Sequence, residues 1–306
     1  MENGIQTYSC NDCKRRFRRK RRTNTHEDIW FAYVFHKQTI RELAEDTGYD
    51  KKTILSYLEY YTVAIKAHDP RPINLVVDAT YFGKRKEDTS WGVILFRDPF
   101  RKENLWWMYV DTERESYYRI GKEYLERLGY TILSVTCDGF SGNIPVFKGI
   151  PLQMCQFHMK QIVVRNVTFK PKTEAGKILL ALAHTLTYST KEAFTERLRR
   201  FHVEYAPFLN EKTVHPDGSS SYTHEGVRAA YRSLAYWYSY LFTFHSNNLI
   251  PNTTNTCDGH FSHIKDIVRI HRGLHKTFKQ KVLDAIFLES TIAPKTKNKQ
   301  KKNTGD

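Results

Sequence analysis

Between residues 25 and 61 the apolar positions fall three and four apart: Ile29, Trp30, Tyr33 and Val34, then Ile40, Leu43 and Ala44, then Ile54, Leu55, Leu58 and Tyr61. That spacing predicts helices that each bury one face. Breaks after Phe35 and at Gly48 divide the segment, and Asp50 is suited to cap a helix that begins at Lys51. The string QTIRELAEDTGYDKKTILSYLEYY therefore has the length and glycine turn of a helix-turn-helix, with Lys51, Lys52, Thr53 and Ser56 offered to a groove. A plain three-helix bundle is the alternative reading.

The pattern changes at HDPRP, His68 to Pro72, where two prolines end the helical period. INLVVDATYFG then reads as a strand from Ile73, followed by strands at about Trp91 to Phe96 and Leu105 to Val110, and a helix from about Glu113 to Leu128. YTILSVTCDGFSGN predicts a further strand that ends at Asp138 and a glycine-rich turn. A short helix, a brief strand in PLQMCQ and a helix from about Phe157 come next. Strands alternating with helices predict a mixed sheet with helices on its faces. From Glu174 to Leu209 and from Glu225 to Phe244 the period is helical again, separated by the polar loop HPDGSSSY.

Charge and cysteine content narrow the setting. The 306 residues carry 48 Lys and Arg against 33 Asp and Glu, a net charge of +15, so polyanions are the expected partners. Eight of the nine residues from Lys14 to Arg22 are basic, and five lysines lie between Lys295 and Lys302. The first block, with Arg15, Arg16, Arg18 and Arg19, is read as a phosphate-binding arm against the alternative of a solvated end. The tail is read as disordered at residues 291–306. No apolar run suggests a membrane span or a secretory signal, and an odd set of five cysteines suits free thiols in a reducing compartment. A cytoplasmic, nucleoid-associated protein is the expectation.

Two features carry candidate chemistry. YSCNDCKRRF holds Cys10 and Cys13 at the spacing of one zinc-ribbon knuckle, which supplies two of the four ligands that structural Zn²⁺ needs. Asp78 and Asp138 stand in or at the end of otherwise apolar strands, where an ionised carboxylate is costly unless paired or bound to metal. Two or three carboxylates around two Mg²⁺ ions about 4 Å apart suit phosphodiester chemistry. A capping aspartate is the alternative for each.

VVDATYFG, TCDGFSG, the Cys155-x2-His158 pair in CQFHMKQ, and TTNTCDGHFSHIK around Asp258 resemble, in order and spacing, the sequence blocks of DDE transposases of the Mutator-like superfamily and its bacterial insertion-sequence relatives. The Cys10–Cys13 half resembles the second half of their N-terminal zinc ribbons, so a first half is expected upstream. The resemblance implies an α/β fold with a ribonuclease-H-like mixed sheet and a helical insertion at about residues 174–250, preceded by the small helical domain. The domains expected are residues 1–22 (partial ribbon and basic arm), 23–67 (helix-turn-helix), 73–290 (catalytic) and 291–306 (tail).

It also implies Asp78, Asp138 and Asp258 as holders of two Mg²⁺ ions, with His158 in the active site. Relatives carry glutamate where this chain has Asp258, so the shorter arm demands closer approach of its helix to the sheet; Glu225 is the competing third acid. Cys155 and His158 read either as half a metal site or as a packed thiol beside a phosphate-binding imidazole. Lys160, Lys265, Arg269 and Arg272 are candidate phosphate contacts. The implied activity is binding of double-stranded DNA at the terminal repeats of an element, then cleavage and strand transfer by a homodimer or higher oligomer. A transposase-derived DNA-binding regulator without catalysis is the second reading, and a nuclease of the same fold on structured nucleic acid the third.

Overall fold

The computed structural model describes residues 7–18, 25–83, 90–271 and 274–289. Of the sequence-predicted positions, Arg19, Arg272 and the 291–306 tail lie outside these, as does the side chain of Arg18. The chain divides into two compact units, Met1–Ile65 with Asp266–Ile286, and Lys66–Lys265 with Phe287–Asp306.

In the first unit, β1 (Thr7–Ser9) and β2 (Arg16–Arg18) form an antiparallel hairpin whose connecting segment carries Cys10 and Cys13. Three helices follow: α1 (His26–Val34), α2 (Ile40–Thr47) and α3 (Lys51–Tyr60). Thr25 and Thr39 each make a complete capping box, with Asp28 and Glu42 reaching back to the cap. Gly48 closes α2 at φ 64°, a left-handed conformation glycine tolerates, and Asp50 caps α3 two residues later. The helix-turn-helix pattern is thus set by local chemistry at every joint. His271 stacks on Tyr33 at 4.0 Å, and Phe278 of α11 (Lys276–Glu289) sets its ring edge-on to Trp30 and Tyr33. Lys281 Nζ donates to the carbonyls of Leu58 and Glu59, placing a cation where the carbonyls at the end of α3 lack helical partners.

The second unit is built on five strands: β3 (Pro72–Phe82), β4 (Trp91–Asp98), β5 (Glu103–Val110), β6 (Thr131–Cys137) and β7 (Leu152–Met154). Their order is β5-β4-β3-β6-β7, with β4 antiparallel to both neighbours and β6 and β7 parallel to β3. This is the ribonuclease-H-like arrangement of a mixed sheet, and the crossover from β5 to β6 carries α4 (Glu115–Arg127). Ile73, Leu75 and Val77 of β3 alternate into the main core with Phe96, Leu105 and Tyr118. A nearly dry ion network ties the approach to β3 onto the neighbouring strands: Arg71 bonds Asp98 at 2.7 Å and Glu103 at 2.6 Å, and Lys66 bonds Glu103 at 2.7 Å.

Beyond α5 (Asn143–Val146) and β7, α6 (Gln156–Val167), α7 (Glu174–Thr185), α8 (Lys191–Asn210) and α9 (Glu225–Trp237) form the helical insertion. The polar stretch between α8 and α9, which the sequence pattern predicts as a loop, instead pairs β8 (Lys212–Val214) with β9 (Ser220–Tyr222). Most of its residues are exposed, so no alternating apolar face was there to signal a strand. The chain then runs to α10 (Asn255–Ile270). Among the described residues no helix is long and apolar enough to cross a membrane.

Gly121 lets α4 lie directly on the sheet: a Cβ there would come within 2.6 Å of the Trp106 ring and 2.9 Å of Phe96. Gly121→Val should therefore cost about 1–3 kcal/mol by overpacking. Urea unfolding measures it, and an unchanged midpoint would refute the close approach.

Candidate metal centre

The register of β3 against β6 brings two acids together. Val76 pairs with Thr136 in a parallel ladder, and two residues further along each strand stand Asp78 and Asp138. Leu75 and Val77 face the core, so Asp78 points to the opposite face of the sheet, 3% exposed, with Oδ1 accepting from the Ala79 amide at 2.9 Å. Asp138, just past the end of β6, accepts from the Phe140 amide at 3.1 Å, which turns the chain away from the sheet.

Asp258 arrives from α10. The segment before that helix is pinned across the same sheet face: Thr136 Oγ1 donates to the Pro251 carbonyl at 2.7 Å, and the Gln156 amide donates to the Asn252 carbonyl at 3.0 Å. The Thr254 amide donates to Cys155 Sγ at 3.3 Å, and the Cys257 and Asp258 amides donate to the Thr254 carbonyl. These bonds draw the start of α10 onto β6 and α6, the close approach that the short arm of an aspartate requires. A carboxylate oxygen of Asp78, a ring nitrogen of His158 and a carboxylate oxygen of Asp258 all lie within 4.8 Å of one another. His158 Nε2 is 3.9 Å from Asp258 Oδ1.

Glu225 is exposed at the start of α9, where Gly226 abuts the Asn166 carbonyl near the far end of α6. Eight residues of helix, a rise of about 12 Å, separate Asn166 from His158. Among the described residues Glu225 has no part in the cluster.

Electrostatics follow from this crowding. Burial, then the neighbouring Asp138 and Asp258, push the Asp78 carboxyl well above the ordinary range, against a downward pull from His158. Burial likewise raises Asp138, opposed by the Phe140 amide and His158. For His158 burial acts downward, but its bond and charge interaction with Cys155, together with Asp78 and Asp258, outweigh it and lift the imidazole to about 9. The Cys155 thiol, which burial would raise, is instead held low by His158 and Thr254. The packed thiol and the imidazole facing charged groups thus coexist in one turn of α6.

Glu113 and Arg165 gave no signal in the sequence, and Thr254 stood unmarked inside the block TTNTCDGHFSHIK. Glu113, before α4, is pushed up to about 7 by burial and then by Asp138, with the Tyr118 hydroxyl bonding it in opposition. It lines a cavity of about 270 Å³ with Asp138, Phe140, His158 and Arg165. Thr254, fully buried, sets its hydroxyl 3.2 Å from both His158 Nδ1 and Asp258 Oδ2. Each reaches the site through a turn or a helix face, so no local pattern marks it.

The other predicted residues lie elsewhere. Lys160, half-buried on α6, is not among the residues lining the cavity, and Lys265 and Arg269 are exposed on α10, Arg269 bonding Asp266 at 3.1 Å. His260 turns to Asn104 at 3.0 Å. Arg15, Arg16, Lys51 and Lys52 are exposed in the first unit, while the Thr53 hydroxyl is taken by the capping Asp50. In the hairpin, Cys10 is held low by the Cys13 and Asp12 amides, an arrangement that favours thiolates, and among the described residues no third ligand joins the pair.

The donor chemistry fits a divalent cation: a buried and a half-buried carboxylate of like charge with a half-buried imidazole, open at one side to a cavity. Because Asp78 binds its proton more tightly folded than unfolded, stability without metal falls as pH rises from the ordinary carboxylate range towards the raised value. Asp78→Asn removes the titrating carboxyl and with it that loss of stability. In EDTA its Tm should exceed that of the parent protein by a margin that widens from pH 5 to pH 8, and a lower Tm at pH 8 would contradict the uncompensated burial. No protein-family model matches the sequence, and no curated protein does. Among solved structures the chain is similar to the Drosophila P element transposase strand transfer complex, at 12% identity and a TM-score of 0.36, over 91% of this chain and 94% of that one.

Proposed function

We propose that the protein is a DDE-type transposase of the bacterial insertion-sequence, Mutator-like kind, which binds double-stranded DNA at element ends and catalyses cleavage and strand transfer. The observation that carries the reading is the meeting of Asp78 and Asp258 with His158 on a ribonuclease-H-like sheet, with Asp138 just past the end of the adjacent strand, level with Asp78. Asp78, Asp138 and Asp258 would hold the divalent ions. Such ions activate an attacking oxygen and stabilise the leaving 3′ oxygen in phosphodiester chemistry.

The chain's own residues supply the rest. The β3–β6 register fixes the two strand acids relative to each other, and the pinned segment Pro251–Thr254 fixes the third. Arg165 puts positive charge on the wall of the cavity that holds Glu113, Asp138 and His158, where a phosphate would need neutralising. Glu113, with an affinity for protons near neutrality, can take a proton from an attacking water or hydroxyl that reaches this cavity. In the first unit, Lys51 and Lys52 at the exposed start of α3, and Arg15 and Arg16 in the basic arm, would neutralise backbone phosphates of the terminal repeat. Cys10 and Cys13 would give Zn²⁺ two thiolates, with the remaining ligands from outside the described residues. Assembly on two element ends calls for a dimer or larger oligomer.

Purified protein incubated with duplexes that carry the element's terminal repeats should nick them in Mg²⁺ or Mn²⁺. Asp78→Asn and Asp138→Asn should each remove cleavage while leaving duplex affinity within a few-fold. Cleavage retained by either variant refutes the acid assignment. Specific binding without cleavage by the parent chain favours the regulator reading. Replacing Lys51 and Lys52 together by alanine should weaken binding and reduce the slope of log K against log salt by about 2, one phosphate per lysine. An unchanged slope would remove α3 from the interface.

A further inference from the structure

The cluster at the end of β3 is not made of carboxylates alone. We infer that His158 is a direct ligand through Nε2, so that the cation between Asp78 and Asp258 sits in a mixed nitrogen–oxygen set that prefers Mn²⁺ to Mg²⁺, with Thr254 as the residue that positions it. The inference deepens the functional reading above and rests on the same site, but it concerns metal binding without DNA.

The distances support ligation. An ion bonded at about 2.1 Å to two atoms holds them at most about 4.2 Å apart. The three donor atoms lie within 4.8 Å, and the His158 Nε2–Asp258 Oδ1 pair is already at 3.9 Å. Movements well under ~1 Å close the set, within the range of side-chain torsions. His158 and Asp258 keep 22% and 35% of their side chains exposed, and the cavity at His158 gives a hydrated ion a way in.

The ring is aimed by Thr254. Its hydroxyl lies 3.2 Å from His158 Nδ1, which leaves Nε2 as the nitrogen that faces Asp258. The same hydroxyl lies 3.2 Å from Asp258 Oδ2, which leaves Oδ1 as the oxygen that faces the ring. Thr254 cannot drift, because its amide bonds Cys155 Sγ and its carbonyl receives the first amides of α10. A ligating histidine whose second nitrogen is held by an outer hydrogen bond is the usual arrangement at protein metal sites. Here one buried hydroxyl orients two ligands.

The donor types then decide the metal. Mg²⁺ takes hard oxygen ligands and keeps its waters, whereas an imidazole nitrogen adds affinity for Mn²⁺ and the later divalent ions. Asp138 lies outside the three-residue set, in the cavity that it shares with Glu113, His158 and Arg165.

The test uses the full chain without DNA, Mn²⁺ as the probe, and electron spin-echo envelope modulation to detect ¹⁴N bonded to the bound ion. Bound Mn²⁺ should show ¹⁴N coupling, and Mg²⁺ should displace it only at a free concentration at least about tenfold higher. His158→Ala and His158→Gln should lose the coupling and most of that preference while retaining the parent far-UV spectrum. Thr254→Val should weaken Mn²⁺ binding about 10–100-fold, the size of effect seen for outer hydrogen bonds, and Thr254→Ser should restore it. Parent protein without ¹⁴N coupling, or coupling that survives in His158→Ala or Asp78→Asn, overturns the inference. So does a Thr254→Val protein that binds Mn²⁺ as the parent does. A chain that shows the His158 coupling yet cleaves no terminal-repeat DNA upholds the ligand set and refutes the transposase reading, so the two fail separately.

Discussion

Two carboxylates at adjacent parallel strands, Asp78 buried and Asp138 half-buried on a cavity wall, are the constraint around which the second unit is organised. Asp78 and Asp138 repel each other and pay a desolvation penalty, so the fold must surround them with positive charge or hydrogen-bond donors. The structure provides backbone amides at Ala79 and Phe140, and it brings His158 to the same place on the first turn of α6. A negative site that raises the proton affinity of a histidine to about 9 also attracts a divalent ion. Burial without charge balance is unfavourable for the empty fold, and that imbalance is what a metal centre exploits.

The helical insertion and the return to α10 make sense against that constraint. About 90 residues separate α6 from α10, and they carry α7, α8 and α9 before Asn252 and Thr254 come back to bond Gln156 and Cys155. Gln156 is itself buried, its side-chain amide donating to the carbonyls of Leu186 and Leu241. One glutamine therefore joins the end of the insertion, the sheet edge and the acid-bearing segment. Asp258 is positioned by that lattice of buried polar bonds together with the buried face of α10, Cys257, Phe261 and Ile264. Buried polar groups with every partner in place specify one arrangement, because each alternative leaves a donor or acceptor unmet.

Local sequence was informative where local chemistry decides. The threonine capping boxes, Gly48 and Asp50 fix the joints of α1, α2 and α3 within four residues of each signal, so the element boundaries could be read closely. The strands β3 and β4 are buried along nearly their whole length and therefore appear as continuous apolar runs, against which a single aspartate is conspicuous. The exposed β8–β9 hairpin had no such contrast and read as a loop. Glu113 and Arg165 were equally silent, and Thr254 lay inside a quoted block without a role of its own, since a threonine at a helix start or an arginine on a helix face is ordinary until its neighbours in space are known. The return of His271 and Phe278 to Tyr33 joins residues more than two hundred positions apart, beyond the reach of any periodicity.

The sequence by itself determined the order of elements, the positive charge and the presence of acids in strands that would otherwise be wholly apolar, because each depends on neighbours within a few residues. It also carried both Asp258 and Glu225 as candidates for the third acid, with Asp258 favoured because it begins a helical string that brings His260 and Lys265 near. Tertiary structure separates the two residues: bonds with Thr136, Gln156 and Cys155 draw the start of α10 onto the sheet, while α9 begins beside the opposite end of α6. It also turned a set of acids into an aspartate–histidine–aspartate cluster, because only the fold brings the Thr254 hydroxyl between His158 and Asp258. Which side chains share a cation is a matter of distances of a few ångströms across segments about 100 residues apart, and such distances exist only once the chain has packed.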